Sequence, residues 1–363
     1  MSYKPPLRDE IALRPGYHSP QFDVEVALNT NESPFLPPEQ WTSELLSALS
    51  KVRYNRYPDR KATELRRCIA EYHEVEAEEV FCANGSNEVI EILLLAIGGP
   101  SRKALVFEPT YALHSHICRL TSTEVVSGHR DESFRIDPEQ ARKLNELHDP
   151  VVTFICSPNN PTGQLESVDV VTGILGQTEG LVLVDEAYGE FASPVSSALT
   201  LRSTKGADYD DSLSRLAVVR TFSKVWSMAA FRLGYLIGSP QLISACERAA
   251  LPYHLSTPTQ TAGIVAMRYR SEMEDRVKQM TQERDRLRAE LERLKVQTWP
   301  SEANFILFRP GDRSGREVWQ KLVDSSVLIR DCSDWPGLEG CLRVTVGTSE
   351  ENDRFLDALE ECL

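Results

Sequence analysis

An α/β fold is the class this sequence predicts: a large, mainly parallel sheet covered by helices, with a smaller α+β domain beside it. Three observations predict it. Apolar, often β-branched runs alternate with helical periodicity between residues 80 and 237, as parallel strands joined by crossover helices do. Most of these runs end in polar stretches, and open α/β sheets place ligands at such carboxyl ends. After a long charged helical stretch, residues 303–362 read strand, helix, strand, strand, helix.

The elements follow in order. Residues 1–35 are Pro-rich and read as an arm lying across a body, with a short strand at 24–28. Residues 39–51 and 61–74 show helical spacing, and between them Tyr57 precedes a proline, which holds it extended. Residues 80–83 form a strand that ends in Gly-Ser-Asn before an apolar helix, 87–97. Strands at 103–107 and 124–126 flank a helix ending at Leu120. A helix at 138–147 leads to a strand at 151–156, and a further helix leads to strands at 181–184, 216–220 and 235–237. Residues 259–294 form a long helical stretch with a bend, Leu287, Leu291 and Leu294 falling at helical spacing. The expected domains are 1–35, a segment joining the small domain; 36–265, the large domain; and 266–363, the small one.

Composition narrows the function classes. The 363 residues carry 40 basic and 54 acidic side chains, a formal charge of −14. A bulk nucleic-acid partner is not expected, because phosphate backbones require a basic face. The apolar run 89–97 is too short to span a bilayer and contains Glu91. The N-terminus has no apolar signal core, so the expected location is the cytoplasm. The 8 cysteines are scattered and read as buried, inert thiols. His114-Ser-His116 lacks metal-ligand spacing, and no metal is expected.

The chemistry concentrates on strand ends. Lys224 follows a serine among apolar and small neighbours, where lysine is rare unless it is paired or chemically used. Ser223 and Arg232 could hold an anion beside it. Gly85-Ser86-Asn87, at a strand-to-helix junction, offers free backbone N–H groups at the positive end of a helix. Asp185, Tyr188, Asn160 and Tyr111 end or follow other strands of the same series. A lysine for an aldehyde, a carboxylate for a ring nitrogen, donors for a phenolate oxygen, an aromatic face and a phosphate nest together match pyridoxal phosphate.

Several motifs carry a family resemblance over nearly the whole chain. They include Leu28-Asn-Thr-Asn-Glu-Ser-Pro34, Arg56-Tyr-Pro-Asp59, Asn84-Gly-Ser-Asn-Glu88 and Ser157-Pro-Asn-Asn-Pro-Thr-Gly-Gln164. Val184-Asp-Glu-Ala-Tyr188, Arg220-Thr-Phe-Ser-Lys224, Leu328-Ile-Arg-Asp331 and Leu342-Arg-Val-Thr-Val-Gly347 continue it. The chain resembles the aspartate-aminotransferase fold, fold type I of the pyridoxal phosphate enzymes, and within it the histidinol-phosphate aminotransferases. It departs from the family pattern at Ala230 and Phe231, where glycine and leucine are usual, and in its arm, Arg14-Pro-Gly-Tyr17.

The resemblance implies roles. Lys224 would anchor the cofactor aldehyde and then act as general base at the substrate α-carbon. Asp185 would hold the ring nitrogen's proton, and Asn160 and Tyr188 would donate to the phenolate oxygen. Tyr111 would stack on the ring. Gly85, Ser86, Asn87, Ser223 and Arg232 would hold the phosphate, with Tyr57 reaching it from a neighbouring subunit of a homodimer. Arg343 would bind the α-carboxylate of the amino acid partner, and Arg330, with Tyr17 and Asn31, would face the substrate's distal phosphate. The implied reaction is transamination between L-histidinol phosphate and 2-oxoglutarate. An aromatic aminotransferase and a threonine-phosphate decarboxylase stand as alternatives on the same fold. A cofactor-sensing regulator fits poorly, since this acidic chain starts almost at once with the arm.

Overall fold

The computed structural model describes residues 5–8, 11, 20–202 and 211–363. Among these residues two sheets form. The larger is assembled from β2 (Val80–Ala83), β3 (Lys103–Glu108), β4 (Glu124–His129), β5 (Val152–Cys156), β6 (Leu181–Asp185), β7 (Leu216–Thr221) and β8 (Gly234–Ile237). Their spatial order is β2-β8-β7-β6-β5-β3-β4. The ladders from β4 to β7 are parallel, as crossover helices require, while β8 runs antiparallel to both its neighbours, β7 and β2. Every residue of β5, β6 and β7 is buried, which explains why these strands read as continuous apolar runs.

The helices are α1 (Glu39–Leu49), α2 (Thr63–His73), α3 (Gly85–Ile97), α4 (Ala112–Leu120), α5 (Pro138–His148), α6 (Val168–Leu175), α7 (Pro240–Ala249), α8 (Thr257–Ala266), α9 (Arg270–Arg293), α10 (Gly315–Asp324) and α11 (Ser349–Cys362). Helices before α10 cover the large sheet on two faces, and α10 and α11 pack on the smaller sheet. One core packs Leu65, Ile69, Phe222, Val225 and Met228, and a second packs Ile90, Leu93, Val106, Phe154 and Val219. No helix among the described residues is long and apolar enough to cross a membrane.

The smaller sheet has the order β1-β11-β12-β10-β9, with β1 (Val26–Leu28), β9 (Gln297–Thr298), β10 (Phe305–Arg309), β11 (Val327–Asp331) and β12 (Leu342–Thr345). β1 pairs in parallel with β11, Val26 opposite Val327, so the N-terminal segment adds a strand to this sheet. The long helical stretch is broken: a 3-10 turn at Met267–Tyr269 separates α8 from α9. Met273 and Met280 of α9 pack into the large core, while Leu287 and Leu291 pack with β10 and β12. The same helix thus serves both sheets.

Two differences from the sequence expectation have local causes. α3 begins at Gly85, not at 87, because Gly85 takes φ +83° and turns the chain directly from strand into helix. α7 was not expected; its start is signalled by Ser239, whose hydroxyl accepts from the Leu242 N–H, with Pro240 in the first helical turn.

Candidate active site

The parallel strands deliver their carboxyl ends to one edge of the large sheet. Asp185 is the last residue of β6, Lys224 lies three residues beyond β7, Asn160 four beyond β5, and Tyr111 three beyond β3. β8 runs the other way, so its first residue reaches the same edge: Gly234 pairs with Thr221 on one side and Ala83 on the other. Arg232 therefore stands beside the start of α3. From the smaller sheet come Arg343 and Arg330, which lie opposite each other on β12 and β11. These elements enclose a cavity of about 400 Å³.

Lys224 is half-buried in its wall. Its Nζ donates to the Thr30 carbonyl at 2.9 Å and lies 5.8 Å from the centre of the Tyr188 ring. Burial, reinforced by the Arg343 and Arg232 charges and opposed by Glu32, lowers its pKa to about 7. A lysine with this pKa is in part a neutral amine at neutral pH, and so can act as nucleophile or base.

Asp185 is 2% exposed. Its Oδ1 accepts the Ala187 N–H at 3.0 Å, and its Oδ2 lies 2.8 Å from His114 Nε2. The His114 ring is fully buried, stacks on Phe154 with centroids 4.9 Å apart and meets Tyr111 edge-on. Asp185 is thus oriented on both oxygens. From sequence His114 stands out only as a candidate metal ligand; its place three residues after Tyr111, on α4, is the signal for this role.

Asn160 accepts through Oδ1 from Arg343 Nη1, and Arg343 Nη2 donates to the Asn29 carbonyl at 2.8 Å. The Arg343 Nε, though buried, has no protein partner. An arginine this buried, with an N–H to spare, suits a bound anion. Tyr188 is 4% exposed, its phenol pKa is pushed up by burial, and its oxygen accepts from Asn31 Nδ2 at 2.8 Å.

The anion cradle is built by close approach. A Cβ on Gly85 would lie 2.7 Å from Arg232 Nη2, and a Cβ on Gly234 would fall on the Ser86 amide nitrogen. Only glycine permits β8, Arg232 and the first turn of α3 to come this near. The first N–H groups of that helix have no intrahelical acceptor. Arg232 adopts φ +52°, and its Nη1 reaches Ser223 Oγ at 3.4 Å. Tyr111 OH donates to Asn87 Oδ1 at 3.4 Å, closing one side.

The cavity lining therefore includes Asn31, Ser86, Asn87, Tyr111, Asn160, Asp185, Tyr188, Ser223, Lys224, Arg232, Arg330 and Arg343, with Gly85 packed behind it. Tyr57 stands outside it in this chain: it is 80% exposed and stacks on Tyr253, centroids 4.6 Å apart. Tyr17 lies outside the described residues. Ala230 lines the cavity, whereas Phe231 turns away and packs edge-on against Trp41. The departure at 231 is thus absorbed by the core. Asn29, Thr30, Glu32 and Thr221 also line the cavity and were not singled out from sequence. Asn29 and Thr30 act through backbone carbonyls, which residue identity does not reveal.

Residues 24–359 match the family described as aminotransferase class I and II. A histidinol-phosphate aminotransferase of Corynebacterium glutamicum is 41% identical over 99% of this chain and 96% of its own length. One from Thermobifida fusca is 43% identical over 98% of this chain and 94% of its own. Among solved structures, the histidinol-phosphate aminotransferase of Sinorhizobium meliloti in complex with pyridoxal 5'-phosphate superposes with a TM-score of 0.84. It covers 93% of this chain and 91% of its own, at 19% identity, a likeness of fold.

Proposed function

The chain belongs to the class I and II aminotransferases, and within them to the histidinol-phosphate aminotransferases, and from this premise we infer that it moves an amino group from L-histidinol phosphate to 2-oxoglutarate. The products are imidazole acetol phosphate and glutamate, and the step belongs to histidine biosynthesis. The observation that carries the reading at the site is Lys224 and Asp185 on adjacent strand ends of a cavity that also receives two arginines from a second sheet.

The residues fit pyridoxal phosphate. The glycine-built cradle of Gly85, Ser86, Asn87, Ser223 and Arg232 suits its phosphate, and Lys224 its aldehyde. Asp185 suits the ring nitrogen, Asn160 and Tyr188 the phenolate oxygen, and Tyr111 the ring face. When bound, the cofactor supplies a ring that accepts the electron pair left as the substrate α-carbon loses its proton. The amine of Lys224, freed when the substrate takes its place, would accept that proton and return it to the carbon that had been the cofactor's aldehyde. Asp185 keeps a negative charge at the ring nitrogen. Arg343 binds the carboxylate of glutamate or 2-oxoglutarate. Arg330 meets the distal anion, phosphate of one substrate and carboxylate of the other.

The expected amino-donor order tests this reading. With 2-oxoglutarate as acceptor, kcat/KM for histidinol phosphate should exceed that for phenylalanine by about tenfold to a hundredfold, the worth of an arginine–phosphate contact. Carbon dioxide release from phosphothreonine, or equal rates on phenylalanine, would overturn it.

The assembly is a homodimer with shared sites, Tyr57 reaching the partner's phosphate cradle. In support, Tyr57 and Tyr253 form an exposed aromatic pair that a second copy would cover. Sedimentation should give twice the chain mass, and a monomer at micromolar concentration would remove this role for Tyr57. Residues 36–265 form the cofactor-holding domain, and 266–363 with 1–35 the smaller one; the β1–β11 pairing supports that division. The enzyme works in the cytoplasm, where its cysteines, all but Cys68 buried as free thiols, stay reduced.

A further inference from the structure

We infer that Asn31 is a positioning residue that makes the Tyr188 hydroxyl a donor into the cavity, and that Thr345 fixes Asn31 in turn. The inference rests on the function proposed above and reassigns Asn31 from the substrate phosphate to a side chain of the protein.

Asn31 sits at φ +55°, a left-handed conformation that asparagine takes more readily than most residues. It is 1% exposed. Its backbone N–H donates to Thr345 Oγ1 at 3.0 Å, and Thr345 Oγ1 donates to Asn31 Oδ1 at 3.1 Å. This closed pair of hydrogen bonds decides which end of the carboxamide faces which way. The oxygen is held toward Thr345, so the NH₂ is held toward Tyr188, and Nδ2 donates to the Tyr188 oxygen at 2.8 Å. An amide NH₂ only donates. The Tyr188 oxygen must accept there, and its own proton must go to another acceptor. The Tyr188 ring is held edge-on against Phe305, centroids 5.1 Å apart, and both Asn31 and Tyr188 line the cavity. That direction is where the cofactor's phenolate oxygen is placed by the reading above.

The polarity runs one way, from Thr345 to Asn31 to Tyr188 to the cavity, and hydrogen bonds aligned in this manner strengthen one another. Thr345 is two residues from Arg343 on β12, hence on the same face of that strand. The small sheet therefore supplies both a substrate cation and the orientation of a donor on the large domain. The charged and titratable groups around Tyr188 are Arg343, Cys156, Asp185 and Lys224.

The test is the visible absorbance of the lysine-bound cofactor in the reconstituted enzyme, titrated with pH. A donor to the phenolate oxygen favours the deprotonated form and lowers the midpoint. In Asn31→Asp the carboxylate only accepts, so the Tyr188 proton turns to it, and the midpoint should rise by about one pH unit. Tyr188→Phe should raise it alike, and Asn31→Asp added to Tyr188→Phe should add nothing. Thr345→Val, which frees the carboxamide to turn, should raise it by a smaller amount and carries the test if Asn31→Asp does not fold. An unchanged midpoint in a folded, cofactor-loaded variant would overturn the inference. So would a shift that persists in the Tyr188→Phe background, which is the bare effect of the added charge. A raised KM for histidinol phosphate at an unchanged midpoint would return Asn31 to the substrate. Wild-type protein that takes up no cofactor fails differently, and strikes the proposed function itself.

Discussion

Lys224→Ala is expected to lower kcat by at least about 10⁴-fold, the loss of a covalent anchor and a general base in one side chain. Among the described residues no other amine lines the cavity; its further cations there, Arg232, Arg330 and Arg343, are guanidinium groups that stay protonated and neither attack an aldehyde nor accept a proton. The cofactor should still bind through its phosphate, since the cradle does not involve the Lys224 amine. Borohydride reduction followed by mass spectrometry should find the cofactor on Lys224 in the wild type and on no residue in the variant. A trapped adduct in Lys224→Ala, or turnover within tenfold of wild type, would remove Lys224 from its role. The lowered pKa gives the same variant a second signature without cofactor. The folded state holds this lysine at about 7, against an ordinary 10.5 when unfolded. Between these values the unfolded chain binds more protons, so wild-type stability should rise with pH across that window, and below it the penalty is constant. In Lys224→Ala that component of the slope disappears. Chemical denaturation at pH 7 and pH 9 should therefore find wild type gaining stability relative to the variant as pH rises.

Much of this site was legible because its residues sit at strand ends, and strands announce themselves. The buried runs of β5, β6 and β7 are apolar throughout, so Asp185 and the Ser223-Lys224 pair stand out as the first polar chemistry after each. What sequence could not give is pairing across distance. Asn31 and Thr345 are 314 positions apart, and His114 and Asp185 are 71 apart. Neither contact leaves a periodic trace, because polar side chains that meet between elements obey no repeat. The direction of β8 was hidden for a related reason: a four-residue buried strand looks the same read either way. Its reversal nevertheless brings Arg232 to the cradle. The bend expected within 259–294 falls at Met267–Tyr269, but the change of partner comes later along the same helix: Met273 and Met280 still pack in the large core, and Leu287 and Leu291 pack with the small sheet.

Asp185→Ala is expected to lower kcat by about 10³-fold, or about 4 kcal/mol of barrier, while leaving the fold and the phosphate cradle in place. The carboxylate is 2% exposed, and a charge so enclosed acts through little screening water. Its position is set by the Ala187 N–H on one oxygen and His114 on the other, so it is preorganised rather than induced by ligand. At the ring nitrogen, where the proposed function places it, a fixed negative charge would keep the proton there, and that proton would make the ring able to receive the α-carbon's electron pair. The substitution that isolates this effect is Asp185→Asn, because an amide oxygen can still accept the Ala187 N–H while the charge is gone. If charge is the agent, Asn should lose nearly as much as Ala. If geometry is the agent, Asn should recover most of the rate. His114→Phe keeps the stack on Phe154 and removes only the contact to Oδ2, so its loss should be smaller than either, since it acts through Asp185. Turnover in Asp185→Asn within tenfold of wild type would show that this carboxylate orients the site without powering it.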